Sequence, residues 1–122
     1  MSLEQNEKSL SVIAKEYFCR KYKYSEMDQP LRGKSGQKWK FDGLIEYNGK
    51  KFGVFIREWD RSIGINQIRQ LEKACRDTQC HGIVGGVIIG NQFSGMAENF
   101  GETLGVQVVD RSTLINKMMG GM

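Results

Sequence analysis

Two short hydrophobic segments that flank an Asn-Gly pair give the clearest local signal in the chain. Residues 41–47 and 50–57 are rich in aromatic and β-branched side chains, and only Asn48 and Gly49 separate them. Such residues favour extended strands, whereas Asn-Gly accepts the positive φ angles of a two-residue turn. The pattern therefore predicts an antiparallel β-hairpin.

The two-residue turn also determines which side chains lie opposite each other. Tyr47 then faces Lys50, and the same count places Asp42 opposite Phe55. Partners of this kind are about 4.5–5.5 Å apart at Cβ, and Arg57 is the diagonal neighbour on the same face. We therefore expect an acidic, an aromatic and a cationic side chain to meet at one end of the hairpin.

Helical spacing of apolar residues recurs on both sides of the hairpin. Residues 6–22 and 65–79 place apolar side chains at three- and four-residue intervals, which predicts two amphipathic helices. The later segments are predicted as a buried strand over 82–90, a helix from Ser94 to about Leu104, a strand over 106–110 and a closing helix from Ser112 or Thr113.

These elements predict an α/β fold with a mixed sheet. A helix and a short strand at residues 23–28 precede the hairpin, and helices alternate with strands after it. Antiparallel pairing followed by parallel crossovers gives a central mixed sheet with helices on both faces. Residues 29–40 are interpreted as a polar loop. We expect a single domain over residues 1–122, with 118–122 as a frayed tail.

Composition narrows the class of protein. No apolar run reaches the roughly 18 residues of a membrane span, and the charged N-terminal segment is unlike a signal peptide. Cys19, Cys75 and Cys80 form an odd set, so we expect reduced thiols in a cytoplasmic protein. Cys75, Cys80 and His81 offer at most three metal ligands, which favours structural roles for them.

The positive charge is concentrated in one segment. In residues 20–51, nine Lys and Arg against four Asp and Glu leave a net charge of +5. The whole chain has a net charge of +4, so the remainder carries −1. A basic segment in an otherwise near-neutral protein suits a polyanion such as nucleic acid, although a solvated basic surface has the same composition.

In the order of its motifs, the chain resembles the Mrr-type branch of the restriction endonuclease-like, PD-(D/E)xK superfamily. The resemblance covers most of the chain. It rests on Asp42-Gly43-Leu44-Ile45, Arg57 followed by Trp59, the helix from Ile65 to Ala74 with Gln67 and Gln70, Phe93-Ser94-x-x-Ala97-x-x-Phe100, and Val108-Val109-Asp110. It implies an αβββαβ core, DNA as the partner and a DNA-cleaving ancestry.

The same resemblance suggests what has happened to the catalytic residues. In active members, an Asp at the position of Asp42 and an acidic residue at the position of Phe55 hold Mg²⁺, and a Lys stands at the position of Arg57. Mg²⁺ requires hard oxygen ligands, which a phenyl ring does not supply. Arg57 stays protonated, so it can hold a phosphate but cannot act as a base. We expect a degenerate site without a cofactor, and Mg²⁺ at Asp42 if the domain is active.

Other carboxylates keep an active nuclease open as an alternative. Glu58 points away from Arg57 unless a bulge or a one-residue shift in register turns it. A glutamate of the first helix, Glu7 or Glu16, could approach Asp42 instead. Asp42 can equally serve as the counter-ion of Arg57.

The leading hypothesis is a DNA-binding domain that holds phosphates without cleaving them. Its candidate contacts are Lys34, Lys38, Trp39 as a stacking ring, Lys40, Lys50, Lys51 and Arg57. The alternative is an Mg²⁺-dependent endonuclease, with Asp42, Arg57, Glu58 and Gln70 as catalytic candidates. A third hypothesis is a protein-interaction subunit of a DNA-processing complex, and the resemblance also allows a homodimer.

Overall fold

A five-stranded mixed sheet with helices on both faces forms the centre of the computed structural model, which describes residues 8–119. The elements in chain order are α1 (Leu10–Lys21), β1 (Lys23–Glu26), β2 (Leu31–Arg32), β3 (Lys38–Trp39), β4 (Gly43–Tyr47), β5 (Lys50–Arg57), α2 (Ile65–Asp77), a 3₁₀ turn (Gln79–His81), β6 (Ile83–Gly90), α3 (Gly95–Leu104), β7 (Val106–Asp110) and α4 (Arg111–Met119). Within this part of the chain, no helix is long and apolar enough to cross a membrane.

The sheet has the order β1-β4-β5-β6-β7. β4 pairs antiparallel with β1 and β5, whereas β5, β6 and β7 run parallel to one another. The parallel strands are joined by crossovers through α2 and α3. This arrangement confirms the predicted mixed sheet and the αβββαβ core.

The β4–β5 hairpin has the predicted register. Tyr47 pairs with Lys50 across the turn, and Gly43 pairs with Val54. The turn residues have positive φ angles, 54° at Asn48 and 78° at Gly49. A two-residue turn of this conformation matches the twist of the flanking strands, so the local sequence alone determines which residues meet.

The sheet separates two hydrophobic cores. Val54 packs on the side of α1 and α4, while its neighbour Phe55 packs on the side of α2 and α3. The first core also contains Phe18 and Ile89, and the second contains Phe41. Alternate burial on two faces is expected for a central strand, because successive side chains point to opposite sides.

Two helices begin at serine caps. Ser9 Oγ accepts the backbone N–H of Val12 at 3.2 Å, and Ser94 Oγ accepts that of Ala97 at 3.1 Å. The cap at residue 94 was predicted. The first helix was expected from residue 6, but it begins at Leu10, after its cap, and residues 6 and 7 lie outside the described part of the chain.

The segment predicted as a polar loop contains a small hairpin instead. β2 and β3 pair antiparallel, with Leu31 opposite Trp39. The Asp77 carboxylate accepts hydrogen bonds from Trp39 Nε1 at 2.8 Å and from Ser35 Oγ at 2.7 Å. Gly33 lies so close that a Cβ there would be 2.0 Å from Asp77 Oδ2. The hairpin depends on a residue far along the chain, which explains why local sequence did not indicate it.

The C-terminal segment is more ordered than expected. The predicted tail began at Met118, but α4 continues to Met119 and Met118 is buried. Met118 lies one helical turn after Leu114 and Ile115, which are buried on the same face. Residues 120–122 lie outside the described part of the chain.

The three cysteines are free thiols, as expected. Cys19 and Cys80 are exposed, whereas Cys75 is buried. Burial raises the pKa of the Cys75 thiol to about 12. His81 contacts the backbone oxygen of Arg32 at 2.8 Å, in keeping with the structural role predicted for it.

Candidate nucleic-acid interface

The end of the β4–β5 hairpin carries a connected group of polar side chains. Asp42 Oδ2 accepts hydrogen bonds from the backbone N–H of Ile56 at 2.7 Å and from Arg57 Nη1 at 3.1 Å. Arg57 Nε donates to Gln67 Oε1 of α2 at 2.9 Å. The guanidinium therefore bridges the hairpin and α2, with Asp42 as its ion-pair partner.

An aromatic ring packs against this guanidinium. Arg57 Cζ is 4.2 Å from the centroid of the Phe55 ring, which is a cation–π contact. Phe55 is 4% exposed, and its ring centroid lies 5.8 Å from that of Phe41. The expected meeting of Asp42, Phe55 and Arg57 is thus present, and the aromatic member belongs to the hydrophobic core.

Burial and the ion pair with Asp42 have opposite effects on the pKa of Arg57. Burial lowers the pKa of its guanidinium, whereas the charge of Asp42 and the hydrogen bond between them raise it. A guanidinium remains protonated in proteins because its pKa lies so far above neutrality. Arg57 is therefore a permanent positive charge and does not accept a proton.

Tyr24 of β1 lies beside Asp42 without adding charge. Burial, and then the nearby charges of Glu26 and Asp42, raise the pKa of the Tyr24 phenol to about 12. Among the described residues, its hydroxyl has no hydrogen-bond partner. The phenol stays neutral at physiological pH, so Asp42 and Arg57 dominate the local electrostatics.

A cleft of about 280 Å³ opens beside Asp42 on the side of α1. It is lined by Ser11, Lys15, Glu26, Met27, Asp28, Lys40, Asp42, Ile56 and Glu58. Lys15 and Glu26 form an ion pair at 3.1 Å across it. The cleft thus contains the four carboxylates of Glu26, Asp28, Asp42 and Glu58 and the two ammonium groups of Lys15 and Lys40.

The other carboxylates considered for catalysis have structural partners. Glu58 Oε2 accepts the backbone N–H of Leu10 at 2.8 Å, so it stabilises the start of α1. This position is on the face opposite Phe55, as the strand period predicts. Glu16 forms an ion pair with Lys8 at 3.3 Å, and Glu7 lies outside the described residues.

The residues at the hairpin end do not fit Mg²⁺. Asp42 Oδ2 is occupied by two N–H donors, Phe55 offers no oxygen, and the charge of Arg57 stands beside Asp42. Mg²⁺ demands several oxygen ligands in near-octahedral geometry. Within residues 8–119, no three His, Cys, Asp or Glu side chains are grouped closely enough to hold a metal ion.

A second cleft, of about 430 Å³, opens on the side of α2 next to Gln67. It is lined by Trp59, Arg61, Ser62, Gly64, Ile65, Asn66, Gln67, Ser94 and Met96. Arg61 Cζ lies 4.4 Å from the centroid of the Trp59 ring. This contact positions an exposed cation four residues after Arg57, just beyond the end of β5.

The predicted DNA contacts on the main sheet fall into two separate groups. Lys40 lines the same cleft as Asp42, and its Nζ donates to two backbone carbonyl oxygens. Lys50 and Lys51 lie at the other end of β5, roughly 20 Å from Arg57 at the usual strand rise. The structure therefore does not bring all the candidate cations together.

The β2–β3 hairpin carries the remaining candidates. The Lys34 backbone N–H donates to the carbonyl oxygen of Asp77, the last residue of α2, at 2.8 Å. Gln67 is in the first turn of α2, so Lys34 and Gln67 are about one helix length apart. Lys38 is exposed on β3. Trp39 packs against the core and donates its indole N–H to Asp77, so its ring is only partly available for stacking on a base.

The structure also singles out residues that were not emphasised in the sequence. Gln67 contacts Arg57, whereas Gln70 is exposed one turn further along α2. The choice between the two glutamines depends on the rotation of α2 about its axis, which packing decides. For Arg61, the available signal was the pair Trp59-x-Arg61 directly after the strand.

The topology, with an acidic residue and a cation at paired strand ends, defines the restriction endonuclease-like class of folds. Residues 7–118 match the sequence family Mrr_cat, described as restriction endonuclease. The chain belongs to this family.

A solved structure of the same class supports the fold. The crystal structure described as that of a protein of unknown function, AF1548, is similar to this chain with a TM-score of 0.72 and 15% sequence identity. The similarity covers 90% of this chain and 62% of that one, so the chain spans less than two thirds of its length. No curated protein matches the chain.

Proposed function

We propose that the chain is a DNA-binding domain of the restriction endonuclease family in which cleavage has been lost. The observation that carries this proposal is the Arg57 guanidinium, which is paired with Asp42 and packed on the buried ring of Phe55. In an active relative, a metal-binding carboxylate would stand where this ring lies. One Asp42 oxygen that a metal ion would need already accepts hydrogen bonds from Arg57 and from the backbone N–H of Ile56.

The same guanidinium is suited to hold a phosphate. Arginine has five N–H donors, and two of those of Arg57 are used by Gln67 and Asp42. The remaining donors and the nearby Arg61 and Lys40 supply positive charge at one end of the sheet. Contacts of this type bind the sugar-phosphate backbone and carry no sequence information.

Binding is tested with fluorescently labelled duplex, branched and single-stranded DNA at low salt. We expect binding of at least one form, and a loss of about tenfold in affinity for Arg57→Gln, because one charge-assisted contact is worth about 1.4 kcal/mol. Lys73→Gln, an exposed cation on the other end of α2, is the matched control and leaves the affinity unchanged. Absence of binding to every form contradicts the proposal and favours a protein-interaction role.

Loss of cleavage is tested with supercoiled plasmid in Mg²⁺ or Mn²⁺. We expect no cleavage by the wild-type protein. One specific observation supports the alternative of an active nuclease, since Asp42 and Glu58 line the same cleft. Cleavage that disappears in both Asp42→Ala and Glu58→Gln would establish that alternative, whereas cleavage that persists in both comes from a contaminant.

A further inference from the structure

A cavity of about 380 Å³ lies on the face of the sheet that is covered by α1 and α4. It is lined by Tyr17, Phe18, Lys21, Tyr22, Ile45, Tyr47, Phe52, Val87, Ile89, Gln107, Val109, Leu114 and Lys117. Its volume falls within the range of about 300–1,000 Å³ that is usual for small-molecule sites. Phe55, whose ring packs against Arg57, belongs to the core on the other side of the sheet, and neither residue lines this cavity.

The inner wall of the cavity is apolar and its edge is aromatic. Ile89 and Leu114 are fully buried in the wall. At the edge, the rings of Tyr22 and Tyr47 meet edge-to-face, with centroids 5.4 Å apart, and Tyr17 lies 6.3 Å from Tyr22. Rings in this arrangement offer both faces and edges to a further planar ring.

Two lysines introduce positive charge at this aromatic edge. Lys21 is in the last turn of α1 and Lys117 in the last turn of α4. Neither has an ion-pair partner within residues 8–119, and the lining contains no Asp or Glu. Burial raises the pKa of the Tyr22 hydroxyl, whereas the charges of Lys117 and Lys21 lower it. Both ammonium groups therefore lie within electrostatic reach of this hydroxyl.

A position near a helix C-terminus is by itself favourable for lysine. That effect accounts for one lysine on each helix. It does not account for an aromatic cavity between them. An apolar cavity with two uncompensated cations at its edge is complementary to a molecule that combines a flat apolar body with a negative group.

We propose that this cavity binds a planar aromatic anion. Its ring system lies among Tyr17, Tyr22 and Tyr47, and its anionic group lies between Lys21 and Lys117. Binding here requires no change at Arg57, because Arg57 and its partners Asp42 and Gln67 do not line the cavity.

The proposal is tested with two fluorescent probes that share a ring system and differ in charge. 1-Anilinonaphthalene-8-sulfonate carries a sulfonate, whereas N-phenyl-1-naphthylamine is neutral. We expect the wild-type protein to bind the sulfonate at about micromolar concentration and about tenfold more tightly than the neutral probe. Absence of binding, or equal affinity for the two probes, overturns the proposal.

Variants then locate the binding site. Lys21→Gln combined with Lys117→Gln is expected to weaken the sulfonate about tenfold and to leave the neutral probe unchanged. Lys73→Gln, on α2, is the matched control and affects neither probe. An effect of the control equal to that of the double variant would show non-specific attraction and overturn the proposal.

A cavity-filling variant provides a second readout. Val109→Phe enlarges a side chain of the cavity lining and is expected to weaken the binding of both probes by at least about tenfold by filling part of the cavity. Circular dichroism and thermal unfolding show whether this variant is folded. If it is unfolded, the exposed lysine pair still decides the outcome, since neither lysine belongs to the buried core. Unchanged probe binding by folded Val109→Phe overturns the proposed location.

Discussion

Asp42 contacts β5 through its side chain and through its backbone. Its Oδ2 accepts the N–H of Ile56 at the end of β5 and pairs with Arg57, while its own backbone N–H donates to Val54 at 2.9 Å. These contacts extend the β4–β5 pairing by one residue beyond β4. At the scale of single residues, Asp42 thus has a structural role at the end of the hairpin.

Substitution of Asp42 separates the two contacts. Asp42→Ala leaves the half-buried N–H of Ile56 and Arg57 Nη1 without the acceptor that they share, and we expect a loss of about 1–2 kcal/mol in the free energy of unfolding. Asp42→Asn keeps an acceptor oxygen and loses only the charge, so its cost is smaller. Urea denaturation measures both, and equal losses would show that the hydrogen bond to Ile56 contributes nothing.

At the scale of elements, the β2–β3 hairpin is held on α2 by one carboxylate. Asp77 accepts hydrogen bonds from Trp39, from Ser35 Oγ and from the Ser35 backbone N–H. Because the tip of the hairpin carries Lys34, this attachment also positions one of the candidate DNA contacts. The position of the hairpin on α2 therefore depends on Asp77, a residue that lies far along the chain.

The attachment of the hairpin depends on pH. Hydrogen bonds from Trp39, and then from Ser35, lower the pKa of Asp77 from its usual 3.8. The folded protein therefore binds fewer protons here than the unfolded chain, so the attachment is fully stabilising above about pH 3.8 and is lost as the pH falls through the lower folded value. In a Trp59→Phe background, emission of Trp39 should change only below that pH.

Two variants check this assignment. Asp77→Asn cannot titrate, so its Trp39 emission should show no such acid transition. Asp28→Asn, an exposed carboxylate before the hairpin, is the control and should retain it. A transition of unchanged midpoint in Asp77→Asn would mean that another carboxylate is responsible.

The β4–β5 turn requires a residue at position 49 that tolerates a positive φ angle. Gly49 has a φ of 78°, and open space surrounds its Cα, so an alanine there is strained by backbone conformation alone. We expect Gly49→Ala to cost about 1 kcal/mol. Gly95→Ala, at the start of α3 with similar open space and no positive φ, should be neutral or slightly stabilising. Equal thermal unfolding of the two variants would contradict this expectation.

The success of sequence-based prediction differed between elements for physical reasons. The β4–β5 register followed from a two-residue turn, which is a local property of Asn48 and Gly49. The β2–β3 hairpin did not follow, because its attachment to Asp77 is a tertiary contact. The contact between Gln67 and Arg57 did not follow either, since helical spacing does not reveal how a helix is rotated on its sheet.

At the scale of the whole molecule, charge is divided between two ends of the sheet. Arg57, Arg61 and Lys40 lie at the end where β5 finishes, and Lys50 and Lys51 at the end where it begins. The basic segment in the sequence suggested a single polyanion-binding region. In the folded chain, Lys50 and Lys51 of that segment lie roughly 20 Å from Arg57, a separation that the linear charge pattern does not reveal.

The salt dependence of DNA binding should show which end makes the contacts. Each phosphate contact that is lost reduces the slope of log affinity against log salt by about 1. We expect Arg57→Gln combined with Arg61→Gln to reduce the slope by about 2, and Lys50→Gln combined with Lys51→Gln to leave it unchanged. The reverse result would place the DNA at the turn end of the hairpin.

The aromatic cavity was not predicted from the sequence, because residues that are distant in the chain form it together. Its lining comes from α1, α4 and four strands, and its residues appeared in the sequence only as ordinary apolar positions of helices and strands. Only the packed molecule shows that Lys21 and Lys117 stand at one opening. Sites assembled from many elements are therefore the last features that a single sequence reveals.

The burial of Phe55 makes an acidic side chain costly at this position. An acidic replacement would remove a ring that packs against Phe41 and would introduce a charge into a space that is 4% exposed. Such a step costs several kcal/mol, a large share of the stability of an ordinary domain. If the proposed function holds, exposed cations such as Arg61 can be exchanged at far smaller cost in stability than a carboxylate can be introduced at residue 55.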